Sequence, residues 1–301
     1  MGIVLFTSNR PLERAENLKA VYDAYDGEKE FFHTNPWGAQ PDYSTGKYSL
    51  LVADELPNDA PGKCICIGHG MAPGKKYGLD QPDPYFRRPD LITYAIASSV
   101  DMVPIVAGYC GIAEDQVIPL GCPRTDAYFT EEQAEQPSKC HLYAPTFRAG
   151  AWIPDFNRIH WSMPEGHKLM VKPHMVTEKI TMWNSFDSIE MVSSAVPSTP
   201  YLLKMQTLVT DYSSIMFDAM VLRKPVILFA KDKDRYLADR GMYLPYPKGY
   251  SKYFFDDEQE MAECLEDAEW DDSFETTRQL VCGACDGHSV KRTLDLIKSV
   301  L

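Results

Sequence analysis

The segment Leu208-Val-Thr-Asp-Tyr-Ser-Ser-Ile-Met-Phe-Asp-Ala-Met220 decides the reading of the whole chain. It opens inside an apolar run of strand length, Thr207–Thr210, and Ser213 and Ser214 stand where a helix would begin. That helix is expected over Ser213–Leu222, and a second apolar run, Pro225–Ala230, follows it. Strand, helix and strand in so short a span make a parallel βαβ unit. The helix start leaves backbone N–H groups and the positive end of the helix dipole facing the strand end, which is an anion site without a P-loop. The plainer reading is that Ser213 and Ser214 only cap the helix, and this stretch alone favours it.

The same alternation extends in both directions. Before the segment come His141–Ala144 and Lys168–Val171, and earlier still Gly2–Thr7, Tyr48–Ala53, Lys63–Ile67, Leu91–Ala97 and Gln116–Leu120, all of strand length. Between the first two of these, Pro11–Tyr25 repeats Leu12, Ala15, Leu18, Val21 and Tyr22 at helical spacing behind a proline. Thr130–Lys139, rich in Glu, Gln, Pro and Ser, reads as a linker. The expected fold is α/β, with two Rossmann-like domains facing a cleft, residues 1–135 and 136–301, and a last helix that packs back towards the first domain. In such sheets ligands lie beyond the carboxyl ends of the strands, so chemistry is sought in the residues that follow them.

Composition sets the outer bounds. With 301 residues, 45% of them hydrophobic, the chain can bury a large core without metal or disulfide staples. The 43 acidic residues against 30 Lys and Arg leave a net charge of −13, which argues against nucleic acid as a partner. Phe254–Thr277 holds eleven of those acids and no Lys or Arg, however, so the charge is concentrated in one patch. Met261 and Leu265 suggest that this patch is a helix packed by one face, its acidic face solvated. No apolar window reaches membrane-span length and the first residues do not read as a signal peptide, so the expected location is cytoplasmic. The eight cysteines fit reduced core thiols, including the isolated Cys282-x-x-Cys285.

P-loop, Rossmann glycine fingerprint, hydrolase elbow and zincin helix are all missing from the sequence. Asp232-Lys-Asp234 reads as a solvated turn. Strand Lys63–Ile67 runs into Gly68-His69-Gly70, where an imidazole between glycines has little core to pack in and suits a general base. A second strand-end histidine, His174, closes Val171-Lys172-Pro173-His174. Arg124 in Gly121-Cys-Pro-Arg-Thr-Asp126 and Arg148 in Tyr143-Ala-Pro-Thr-Phe-Arg148 each follow a strand and suit a bidentate grip on phosphate, although each alone could be a surface ion pair. Spacing by itself says no more than an anionic ligand in a two-domain cleft.

Taken in order, His69-Gly70 with Lys75-Lys76-Tyr-Gly-Leu-Asp80, Gly121–Asp126, Tyr143–Arg148, Lys172-Pro-His174 and Thr210-Asp-Tyr-Ser-Ser214 resemble the CDP-glycerol glycerophosphotransferase family of teichoic-acid and capsule synthesis. The resemblance runs from about Lys63 to Ser289 and implies a GT-B architecture. It implies transfer of a polyol phosphate from a CDP donor to a glycan, polymer or lipid-linked acceptor, with release of CMP. It further implies His69 as base and His174 as support for the pyrophosphate or departing CMP. Ser213, Ser214, Thr210, Arg148 and Arg124 would hold donor phosphate, and Lys75, Lys76 and Asp211 are candidate contacts to acceptor or phosphate. Neither metal nor cofactor is implied beyond the CDP-polyol itself. The longer Met71-Ala-Pro-Gly74 link, Gly68 in place of a common Trp and Met175 in place of a common Pro depart from the family pattern on its acceptor side.

Residues 74–88 interleave Lys75, Lys76, Arg87 and Arg88 with Tyr77, Tyr85 and Phe86, a mixture suited to peripheral contact with the inner membrane face, to a polyanionic acceptor or to a solvated loop. Two other functions share the strand-end logic. One is a GT-B sugar transferase or epimerase using a UDP-sugar, and the other is a non-catalytic phosphoglycan-binding protein.

Overall fold

Aliphatic and β-branched runs condense into parallel strands throughout the computed structural model, which describes residues 2–34, 41–55, 59–68, 70–71, 89–130, 139–146, 153–174 and 186–301. The first strands are β1 (Ile3–Ser8), β2 (Lys29–His33), β3 (Tyr48–Ala53), β4 (Cys64–Cys66), β5 (Tyr94–Ile96) and β6 (Val117–Ile118). With them stand helices α1 (Glu16–Ala24), α2 (Val103–Cys110) and α3 (Ala127–Thr130). A second set follows, with β7 (Cys140–Tyr143), β8 (Lys168–Val171), β9 (Ile189–Met191), β10 (Thr207–Thr210), β11 (Val226–Phe229) and β12 (Tyr253–Phe255). Its helices are α4 (Phe156–Ser162), α5 (Thr199–Lys204), α6 (Ile215–Val221), α7 (Lys233–Asp239) and α8 (Glu258–Glu263), before α9 (Asp272–Cys282) and α10 (Ser289–Val300).

These elements form two units. One comprises the described residues up to Thr130 together with Gln279–Leu301, and the other those from Lys139 to Arg278. The first sheet has the order β2-β1-β3-β4-β5-β6 and the second β12-β11-β10-β7-β8-β9, and every named strand pairing is parallel. Read from β9, the second order is the 3-2-1-4-5-6 arrangement of the Rossmann fold. The sense in which successive strands are added reverses between β1 and β3 in the first sheet and between β7 and β10 in the second. Those are the points at which an open α/β sheet leaves a crevice beyond its strand ends.

Both faces of the first sheet are covered, as the unbroken apolar runs require. Leu50 and Val52 join Val4, Phe6, Ile65, the α1 residues Leu18 and Val21, and Ile297 and Val300 of α10 in one core, whereas Leu51 and Ala53 point to the other face with Leu5 and Cys64. In the second unit Tyr143, Leu169, Val171, Val209, Ile227 and Phe229 pack against Phe156 and Ile159 of α4 and Met261 and Ala262 of α8. Helix α6 is buried from Met216 to Val221. Each large apolar side chain so removed from water contributes about 1.5–3 kcal/mol. All eight cysteines are thiols, six of them buried.

Two sequence expectations need correction. The acidic stretch is not one helix, because β12, α8 and the start of α9 divide it. Nor is its charge wholly solvated. Glu258 is buried, pairs with Lys231 at 2.5 Å and accepts a hydrogen bond from the Asp155 amide at 3.3 Å, so it ties α8 to α4 and the end of β11. Similarly, Asp232 of the D-x-D is half-buried and accepts a hydrogen bond from the Tyr212 hydroxyl at 3.0 Å, so this turn anchors a core tyrosine. The linker stretch lies, over 131–138, outside the described residues. Among the described residues no helix is long and apolar enough to cross a membrane.

At the start of β7, His141 and the nearby His167 are buried and hydrogen-bonded ring to ring at 2.9 Å. Burial and the neighbouring imidazole push His141 down to about 3, and burial lowers His167 as well. The folded chain therefore binds fewer protons than the unfolded chain below about pH 6.5, and stability drains away as pH falls from there towards 3. The expected loss between pH 7 and 5 is on the order of 1–2 kcal/mol for this pair. Asp54, whose carboxyl burial holds up at about 7, acts in the opposite direction, so the readout is a difference. Urea midpoints at pH 7 and 5 should separate less in His141→Gln than in wild type, and equal separation would refute the assignment.

Candidate functional site

In the second unit the reversal point brings three motifs to one sheet edge. Strands β8, β7 and β10 are neighbours, so Lys172-Pro-His174, Ala144-Pro-Thr146 and Asp211–Ser214 leave adjacent carboxyl ends. The Thr210 hydroxyl donates to the Ala144 carbonyl at 2.6 Å, and the Ala144 amide donates to Val209 at 2.9 Å. Asp211 Oδ1 accepts from two backbone amides, Thr146 at 2.7 Å and Tyr212 at 2.6 Å. One carboxylate thus clasps the ends of β7 and β10 across the reversal point. Thr210 and Asp211 are 0% and 1% exposed, and these bonds engage the Thr210 hydroxyl and Asp211 Oδ1.

The serines differ. Ser214 occupies the residue before α6 but makes no side-chain capping bond, and Ser213 Oγ is 3.5 Å from the Ile215 amide, at the outer limit of a hydrogen bond. Both are half-buried. Capping therefore does not use up their hydroxyls, and the Thr146 Oγ1 beside them is buried without a hydrogen-bond partner. Tyr212 stacks on Tyr236 with ring centroids 3.6 Å apart, and the Tyr246 hydroxyl reaches the Asp211 carbonyl at 3.4 Å, so an aromatic bed supports the loop. The Lys172 amide donates to Tyr143 at 2.8 Å and its ammonium to Ser193 at 3.4 Å, whereas His174 is exposed. Arg148 lies outside the described residues.

In the first unit the chain leaves β4 after Cys66 and reaches Gly68, whose φ of +64° is a left-handed turn that favours glycine. His69, Lys75, Lys76 and the whole of 74–88 lie outside the described residues. The Gly68 carbonyl accepts a hydrogen bond from Asn17 Nδ2 at 2.9 Å, and Asn17 Oδ1 accepts from the Arg124 amide at 3.0 Å. Arg124 sits in a single 3₁₀ turn, Pro123–Asp126, and is half-buried. Asp126 accepts from the Ser289 and Val290 amides at 3.0 and 2.7 Å, so this motif caps α10. The approach is close: a Cβ on Gly121 would stand 2.2 Å from Ser289 Oγ and 2.4 Å from the Ala284 carbonyl.

Sequence reasoning missed Asn17, Asp54 and the His141–His167 pair. Asn17 is four residues before Val21 on the buried stripe of α1, and a polar residue on an apolar stripe was the available signal. Asp54, just after β3, accepts a hydrogen bond from the Ser8 hydroxyl at the end of β1, 3.0 Å away. Nothing in the sequence pattern shows that these strand ends are adjacent. Among the described residues no group of three or more His, Cys, Asp or Glu is placed to hold a metal ion.

The chain is 29% identical over 227 residues to the teichoic acid glycerol-phosphate primase of Bacillus subtilis, covering 66% of this chain and 58% of that protein. It is 27% identical over 238 residues to the teichoic acid ribitol-phosphate primase of Bacillus spizizenii, covering 69% and 59%. It thus spans less than two thirds of the length of either relative. The solved structure of the wall teichoic acid polymerase TagF superposes with a TM-score of 0.81 at 19% identity, over 99% of this chain and 88% of that one, which establishes the GT-B type of α/β fold. The model of the CDP-Glycerol:Poly(glycerophosphate) glycerophosphotransferase family matches residues 50–299, all five strand-end motifs included, and the chain belongs to that family.

Proposed function

We propose that this protein transfers glycerol phosphate, or a related polyol phosphate, from a CDP-activated donor to a hydroxyl of a glycan, teichoic or capsule polymer, or lipid-linked acceptor. The observation that carries the reading is the family match over residues 50–299. The acceptor oxygen forms a bond to the phosphorus bearing the polyol, and the bond from that phosphorus to the oxygen of CMP breaks. CMP leaves with the electron pair, and the acceptor proton passes to His69. Displacement at phosphorus asks for alignment and charge neutralisation more than covalent help.

In this reading the hydroxyls of Ser213 and Ser214, with Arg148 and Arg124, hold donor phosphate, and His174 steadies the pyrophosphate or departing CMP. Thr210 and Asp211 serve the same end indirectly, by tying the loops of β7 and β10 together. Lys75 and Lys76 meet acceptor or phosphate charge. Arginine, lysine and backbone amides supply the neutralising charge, so the reaction needs no metal or cofactor. A charged, membrane-impermeant nucleotide donor places the enzyme in the cytoplasm, with 74–88 as the segment for peripheral membrane contact, and nucleic acid is not a partner.

CMP release from CDP-glycerol and CDP-ribitol, with a teichoic or capsule-type acceptor and EDTA present, tests the reading. Turnover that persists in chelator is expected, together with tighter binding of CDP than of UDP or GDP. A folded protein that turns over no CDP-polyol sinks the proposal. Activity that disappears with EDTA and returns with magnesium overturns the metal-free part, and a preference for UDP favours the sugar-nucleotide reading.

A further inference from the structure

Asn17 is the second residue of α1 and is 1% exposed, and both ends of its carboxamide are engaged. Nδ2 donates to the Gly68 carbonyl at 2.9 Å, and Oδ1 accepts from the Arg124 amide at 3.0 Å and the Cys122 thiol at 3.2 Å. The partners dictate the orientation of the amide, because a carbonyl can only accept and a backbone N–H can only donate. No other side-chain type of this size offers a donor and an acceptor in one rigid plane without charge.

Both ends of this bridge are chemically placed. Gly68 is the left-handed residue two positions beyond β4, immediately before His69. Arg124 lies in a 3₁₀ turn whose preceding residue, Cys122, supplies no side-chain cap, so Asn17 caps that turn from another element. The far end of the turn is held by Asp126 on the start of α10. The turn that presents the Arg124 side chain is therefore fixed on both sides, and only Asn17 connects it to the end of β4 among the hydrogen bonds described here. Asn17 also precedes residues 50–299, the span matched by the family model.

We propose that Asn17 is a positioning residue for phosphotransfer, whose carboxamide sets the Gly68 strand end against the Arg124 turn. The role in transfer rests on the function proposed above; the clamp itself does not. A buried amide cannot be truncated here without leaving a carbonyl and an N–H unsatisfied, so the two segments are expected to part when it is lost. Misplacement of reacting groups by an ångström is enough to cost about 100-fold in rate.

Asn17→Ala and Asn17→Asp test this in the full chain, by kcat and KM for CMP release, by CDP binding, and by hydrogen exchange of the Arg124 amide. Asn17→Ala is expected to lower kcat by about 10- to 100-fold and to weaken CDP binding by a smaller factor, since Ser213, Ser214 and Arg148 still hold the donor while the Arg124 turn shifts, and to speed Arg124 exchange at least about tenfold. Asn17→Asp keeps an acceptor for Arg124 but donates to Gly68 only when protonated. Its activity relative to wild type should therefore climb as pH is lowered from about 8 to 6, a recovery that Asn17→Ala cannot show. A purely structural role would give neither the kcat-selective loss nor this pH profile. Unchanged kcat in folded Asn17→Ala, or an Asn17→Asp ratio that ignores pH, overturns the positioning role. If wild type releases no CMP from any CDP-polyol, the reaction reading fails and the transfer role with it. Exchange then judges the clamp alone: faster Arg124 exchange in Asn17→Ala upholds it, and unchanged exchange overturns it.

Discussion

Replacement of His69 by Ala is expected to lower CMP release by about 10²- to 10⁴-fold, the range a positioned general base contributes, while CDP binding stays near wild type. An alcohol is a weak nucleophile until its proton is taken. The glycines at 68 and 70 let the backbone bring this imidazole close to a ligand without a side chain in the way. The donor groups proposed at Ser213 and Ser214 are separate side chains, so removing the imidazole is expected to leave the nucleotide contacts standing. Parallel assays of CMP release and CDP binding decide the matter. Near-normal turnover in the variant would remove His69 from the base role, and a matching collapse of CDP affinity would make it a donor ligand instead.

Asp211→Ala should be the most damaging substitution in the second unit. It strips the acceptor from the Thr146 and Tyr212 amides, both buried, at the point where β7 and β10 diverge. Each orphaned buried amide costs about 1–3 kcal/mol, so a total of about 2–6 kcal/mol is expected by chemical denaturation. Because the same bonds align the Ala144–Thr146 and Ser213–Ser214 segments, CDP affinity should fall at least about tenfold. Asp211→Asn separates geometry from charge. Its retained Oδ1 can still accept from both amides, and it should recover most of the stability. An alanine variant with wild-type stability and CDP affinity would show that the clasp is dispensable.

The legibility of these features follows from where each sits. Tyr48–Ala53, Lys168–Val171 and Thr207–Thr210 are read from the sequence with the boundaries they have in the structure, since central parallel strands are buried on both faces and leave an unbroken apolar run. The strands that escape are β2, β9 and β12, and all three are sheet edges. Their residues are mostly half-buried, so Lys29-Glu-Phe-Phe-His33 and Ile189-Glu-Met191 carry polar side chains that dilute the pattern. The expected helix Pro11–Tyr25 begins later, as a short 3₁₀ turn at Leu12–Arg14 and then α1 from Glu16.

Local chemistry alone determines that this chain is an α/β protein of parallel sheets. Apolar periodicity and turn residues are properties of consecutive residues, and the strand-end motifs that mark the family are equally local. Partnership between distant residues is different. The sequence names Thr210, Asp211 and Arg124 as candidate ligand contacts, and long-range strand order decides the partners they find inside the fold, Ala144 and Thr146 for the first two and Asn17 for the Arg124 amide. The return of the last helix is expected from the sequence, but the bonds that seal Gln279–Leu301 to the first unit, from Asp126 on α10 and from Ser98 and Ser99 to the Val281 and Leu280 carbonyls, are settled the same way. Buried hydrogen-bonding groups must find partners wherever the fold delivers them, and only the assembled sheet decides which ones are within reach.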